Sequence, residues 1–114
     1  MVVLNERRVL VTRRAAAQLN RTADWIAERA PETAERWFAQ FANDIQSLST
    51  TCLSRPLARE SRRMPFELRE MLYGNHRQWR VLFTIRGNDV LVMAVRHAAQ
   101  KAVTLDDLTD AGLE

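Results

Sequence analysis

RQWRVLFTIRGNDVLVMAVRH, residues 77–97, reads as two β-strands joined by a tight turn. Trp79, Val81, Phe83 and Ile85 alternate with Gln78, Arg80, Leu82, Thr84 and Arg86, the period-two pattern of a half-buried strand. Gly87-Asn88 follows, two residues that tolerate positive φ, as a two-residue hairpin loop requires. Val90 to Val95 is then a nearly continuous apolar run rich in β-branched side chains. With Gly87-Asn88 as the loop, Arg86 faces Asp89 and opposed residue numbers sum to 175 throughout. Val81, Phe83 and Ile85 then share the core face with Ala94, Val92 and Val90. On the other face Gln78 stands opposite His97 and Arg80 opposite Val95, so Arg80 and His97 are diagonal neighbours projecting together from the uncovered side of the sheet. A loop of odd length would exchange the faces and separate them.

The 114 residues suffice for one domain with a sizeable core, and 46% hydrophobic with 27% charged residues describes a folded globular chain. No apolar run approaches the roughly 20 residues of a membrane span, so no membrane partner is expected. A single Cys52 excludes an internal disulfide and suits a reducing cytoplasm. Sixteen of the 17 basic residues are arginine, and Lys101 is the one lysine. Residues 55–101 carry ten bases against four acids, whereas residues 102–114 carry four acids and no base. The basic half suits phosphate or an acidic protein partner.

Outward from the hairpin, Val9-Leu10-Val11 forms an opening strand behind a loose extension of residues 1–7. Thr12 caps a helix from Arg13 to Ala30, with Ala16, Leu19, Ala23, Ile26 and Ala30 as its apolar stripe. Pro31 starts the next helix, whose stripe is Ala34, Trp37, Phe38, Phe41, Ile45 and Leu48. The two make an αα-hairpin that ends in the Ser, Thr and Cys cluster of residues 47–54. Residues 55–65 read as a surface loop bearing Arg55, Arg59, Arg62 and Arg63. Phe66, Leu68 and Met71 mark a further strand, and Tyr73-Gly74-Asn75 a second turn. After His97, Thr104 and Asp107 have the spacing of a capping box, which predicts a short helix in the acidic tail of residues 102–114. The order β-α-α-β-β-β predicts an α+β domain, an antiparallel sheet with the helical hairpin packed on one face.

That order, with VLVTRRAAAQL at the start and WRVLFTIRGNDVLVMAVRHAA at the end, resembles the RelE/ParE superfamily of bacterial toxin–antitoxin toxins over roughly residues 8–101. The resemblance implies a small cytoplasmic toxin held inactive by a cognate antitoxin, whose acidic or amphipathic segment covers the basic sheet or the helical hairpin. It leaves two targets open, ribosome-bound mRNA in the RelE branch and DNA gyrase in the ParE branch, because a shared fold does not settle function. A third reading is a degenerate member that keeps only antitoxin binding.

For the cleavage reading, a metal-free ribonuclease must deprotonate a 2′-hydroxyl, stabilise a phosphorane and protonate the leaving oxygen. The resemblance aligns Arg80 with the central-strand arginine of the nuclease branch, which would stabilise the developing charge; the alternative is a structural Arg80 that pairs with Glu67 or Glu70 across the sheet. His97 is the candidate general acid or base, and Glu67 or Glu70 the alternative base. Arg62, Arg63 and Arg69 are candidates for backbone phosphates. Arg96 joins them, although its core-side parity suits snorkelling past Trp79 or pairing with an acid. Against cleavage, the nuclease branch commonly carries a tyrosine or an aromatic after the last strand, where this chain has Ala98, Ala99 and Gln100. No Gly-rich phosphate loop or metal-ligand set is present, and no cofactor is expected.

Overall fold

The computed structural model describes residues 6–74 and 76–109. Its elements are β1 (Arg8–Val11), α1 (Arg13–Ala27), α2 (Pro31–Gln46), α3 (Leu48–Thr51), β2 (Arg69–Tyr73), β3 (Trp79–Arg86), β4 (Asp89–His97) and α4 (Leu105–Thr109). Two 3-10 turns, Cys52–Ser54 and Ser61–Arg63, interrupt the connection from α3 to β2. Asn75 of the second predicted turn, Met1–Asn5 of the extension and residues 110–114 of the tail lie outside the described residues. Arg7 is fastened: its N–H donates to Ser49 O at 3.0 Å and its Nε to Gly87 O at 3.3 Å.

The sheet has the order β1-β4-β3-β2. β2, β3 and β4 are antiparallel, but β1 pairs parallel to β4, so the expectation of an antiparallel sheet holds for three strands only. The helical hairpin carries the chain away from β1 and lets β1 lie beside the last strand, a pairing that no local turn imposes. Thr12 caps α1 as expected, accepting the Ala15 N–H at 3.2 Å. α1 stops at Ala27, three residues early, because Ala30 takes φ −153° ahead of Pro31.

The core facing the helices joins Ala15 and Leu19 of α1, Phe41 and Ile45 of α2, and Val81, Phe83, Val90, Val92 and Val95 of the sheet. The opposite face was expected to be open. It carries a second core instead, in which Leu68, Leu82, Met93, Ala94, Val103 and Leu108 are buried. Residues 55–65 are therefore no solvated loop: Ala58 and Glu60 are buried, Ala58 N donates to Leu68 O at 2.8 Å, and the strand expected to include Phe66 and Leu68 begins only at Arg69. The C-terminal segment closes this face, with α4 held by the predicted capping box. Thr104 N donates to Asp107 Oδ2 at 2.9 Å, and Asp107 N to Thr104 Oγ1 at 3.3 Å.

Gly87-Asn88 is the hairpin loop, with φ +56° at Gly87 and Arg86 opposite Asp89. The expected register holds from there to Phe83↔Val92 and then slips: Leu82 pairs with Ala94, Val81 with Val95, Arg80 with Arg96 and Trp79 with His97. A β-bulge at Met93–Ala94 sets two residues of β4 against Leu82, and both join the second core. One extra residue reverses the faces of everything beyond it.

Candidate functional site

The bulge separates the two residues expected to act together. Arg80 projects into the second core, whereas His97, paired with Trp79, lies on the helix side. The shared face predicted for Arg80 and His97 is thus corrected by the one residue inserted at Met93. Ala94 and Arg96 change sides for the same reason, away from the helix-side core.

Arg80 is 5% exposed and held by two carboxylates. Its Nη1 and Nη2 donate to Glu60 Oε2 and Oε1 at 2.9 and 2.7 Å, and its Nε donates to Glu70 Oε2 at 2.8 Å. Glu60, 2% exposed, also accepts the Val103 N–H at 3.1 Å, which ties the C-terminal segment to the centre of the sheet. Burial by itself raises the Glu60 pKa, but the Arg80 hydrogen bonds, the Val103 amide and the Arg80 charge outweigh it and bring the group from an ordinary 4.5 to about 2. The Glu60 hydrogen bonds raise the Arg80 pKa further despite burial, with Glu70 adding to the effect. Two carboxylates around one guanidinium leave the cluster with a net negative charge. That arrangement binds strands together and opposes an incoming phosphate.

The remaining candidates are dispersed. His97 packs edge-to-face on Trp79, ring centroids 5.1 Å apart, and its Nδ1 accepts the Ala99 N–H at 3.1 Å. Glu67 is exposed, 4.0 Å from Arg69, and its carbonyl accepts the Thr84 hydroxyl at 2.8 Å. Glu70 belongs to the Arg80 cluster. Arg62 and Arg63 are exposed on the 3-10 turn, but Arg69 Nη1 donates to Arg55 O at 2.6 Å and Arg96 Nη2 to Lys101 O at 2.8 Å. Those last two fasten the chain to itself. Sequence reasoning missed Glu60, because nothing local places an acid twenty residues away against Arg80. It also missed Gln18, whose Oε1 accepts the Val95 N–H at 2.7 Å.

Among the described residues, no group of three or more His, Cys, Asp or Glu side chains is placed to hold a metal ion. No helix among them is long and apolar enough to cross a membrane.

The family model for the ParE toxin of the type II toxin–antitoxin system, parDE, matches residues 9–102. Among solved structures, one described as the chromosomal ParDE TA system from P. aeruginosa aligns with a TM-score of 0.67 at 18% identity, covering 82% of this chain and 97% of that one. At that identity the likeness is one of fold. A search of the curated proteins gave no match. The family match ends just before Val103, so the segment that closes over Arg80 lies beyond it.

Proposed function

The chain belongs to the ParE toxin family of type II toxin–antitoxin systems, and on that premise we propose that it arrests growth by binding and poisoning DNA gyrase, with no RNA chemistry of its own, until a cognate antitoxin neutralises it. The observation that carries this reading is the state of Arg80. Its guanidinium is enclosed by Glu60 and Glu70 beneath the second core, where no phosphate reaches it. His97 stands on the other face of the sheet. A general acid and an anion-stabilising group on opposite faces cannot serve one scissile phosphate, because both must lie within hydrogen-bond reach of it. An exposed arginine-rich surface suits contact with a protein–DNA complex without requiring catalysis.

Purified toxin, gyrase and supercoiled plasmid test it directly: stabilised double-strand breaks are expected, and intact mRNA on programmed ribosomes. His97→Ala, at an exposed site, should leave growth arrest intact. Transcript cleavage by the wild-type chain, lost in His97→Ala, would overturn the proposal.

A further inference from the structure

β1 pairs with β4 only from Asp89 to Val92, whereas β4 runs on to His97. Along the remaining five residues side chains meet the outer edge of β4 in place of a strand. Thr12 Oγ1 donates to Met93 O at 3.3 Å. Gln18 Oε1 accepts the Val95 N–H at 2.7 Å, and Gln100 Oε1 accepts the His97 N–H at 2.7 Å. N–H groups at alternate residues along a strand edge are the template that an extended peptide recognises. The two carboxamide oxygens stand where the carbonyls of such a peptide would stand.

The ground beside this edge has a definite chemistry. Gln18, Arg21 and Trp25 of α1 face Trp79, Val95 and Gln100 across an open cleft of about 250 Å³. Trp25 is 57% exposed, an unusual state for so large an apolar ring. Arg21 and Arg29 stand one helical turn to either side of it, and the Arg29 guanidinium lies 4.0 Å from the Trp25 ring centroid. Among the described residues no carboxylate lines the cleft: Asp24 borders the groove on the other flank of α1, and Glu28 sits 3.6 Å from Arg29. The rim is cationic and aromatic, complementary to an acidic chain with an apolar anchor.

We infer that the edge of β4 from Met93 to His97 is the docking strand for an extended acidic segment of the antitoxin. The segment adds as a fifth strand, and its carbonyls replace the Gln18 and Gln100 carboxamides on the Val95 and His97 N–H groups. One apolar side chain enters between Trp25 and Trp79, and a carboxylate meets Arg21. This rests on the reading of the chain as an antitoxin-bound toxin and names the contact that reading leaves open.

The test uses the full chain and the antitoxin protein from the adjacent reading frame. Amide exchange is measured by NMR with and without antitoxin, and affinity by titration. Exchange at Val95 and His97 should slow by about 100-fold in the complex. Trp25→Ala and Arg21→Glu, both at exposed positions, should each weaken binding by about 10-fold or more while leaving the melting temperature unchanged. Gln18→Ala should bind at least as tightly as the wild type, since the antitoxin's own carbonyl takes its place. A complex in which neither exchange nor the two variants register overturns the inference and leaves the proposed function standing. Weakening by the variants without protection of Val95 overturns strand addition in favour of a helix or a second copy on this rim. Failure of the wild-type chain to bind any antitoxin removes the underlying reading, and this inference with it.

Discussion

Replacing Glu60 by glutamine removes one charge from the buried cluster and almost nothing else. The amide still accepts the Val103 N–H, but Arg80, with its side chain 6% exposed, keeps Glu70 as its one carboxylate. Breaking a buried pair from one side costs about 3–5 kcal/mol, since the remaining charge stays desolvated. The pH linkage gives a second route to the same figure. A fall in pKa from 4.5 to about 2 corresponds to about 3 kcal/mol of folding stability. Because the folded pKa is depressed, that contribution is present above the unfolded value near 4.5 and is lost as pH falls through about 2. Urea unfolding at pH 7 should therefore show Glu60→Gln less stable by about 3 kcal/mol, with a melting temperature lower by roughly 10 °C. Between pH 5 and pH 2 the gap should close, since the wild type loses its advantage and the variant has none to lose. Removing every charge of the cluster, Glu60→Gln with Glu70→Leu and Arg80→Met, should recover most of the loss, since no charge is left desolvated and the amide still accepts the Val103 N–H. A Glu60→Gln variant within about 0.5 kcal/mol of the wild type at pH 7, or one with an unchanged acid limb, would refute the assignment of this cluster as a buried structural lock.

Two further outcomes follow from the second core and the bulge. Leu108→Ala, at a fully buried position of α4, should cost about 2–5 kcal/mol in chemical denaturation, whereas a tail merely lying on the surface would show no loss. Deleting Met93 should leave a cooperative fold, because without the inserted residue Ala94, Val95, Arg96 and His97 keep their partners and faces in a regular ladder, and chemical denaturation should show a loss of about 2–5 kcal/mol from the missing Met93 burial; a deletion variant that does not fold would show that the bulge itself is required.

Much of the architecture was legible in local pattern. The Gly87-Asn88 turn, the Thr12 cap, the Pro31 helix start, the aromatic stripe of α2 and the Thr104–Asp107 capping box depend on residues a few positions apart, and local sterics and hydrogen bonds enforce them. The resemblance carried by the two ends of the chain likewise led to the right family. What the pattern did not hold was the face on which each polar residue of β4 ends. Val90 to Val95 is apolar without alternation, so no periodicity marks where one residue is inserted, and two cores compete for the same run. Packing settled it: Met93 and Ala94 both fill the space beside Leu82, and Val95 is turned onto Leu19 and Phe41's side of the sheet. Glu70 as a cross-sheet partner of Arg80 was legible in the strand pattern, whereas its second partner was a tertiary outcome. Glu60 is twenty residues distant in sequence and meets Arg80 only because residues 55–68 and the C-terminal segment fold over a surface that hydrophobic burial does not leave bare. Local chemistry thus determined the elements and the family, while long-range burial decided which side chains face one another.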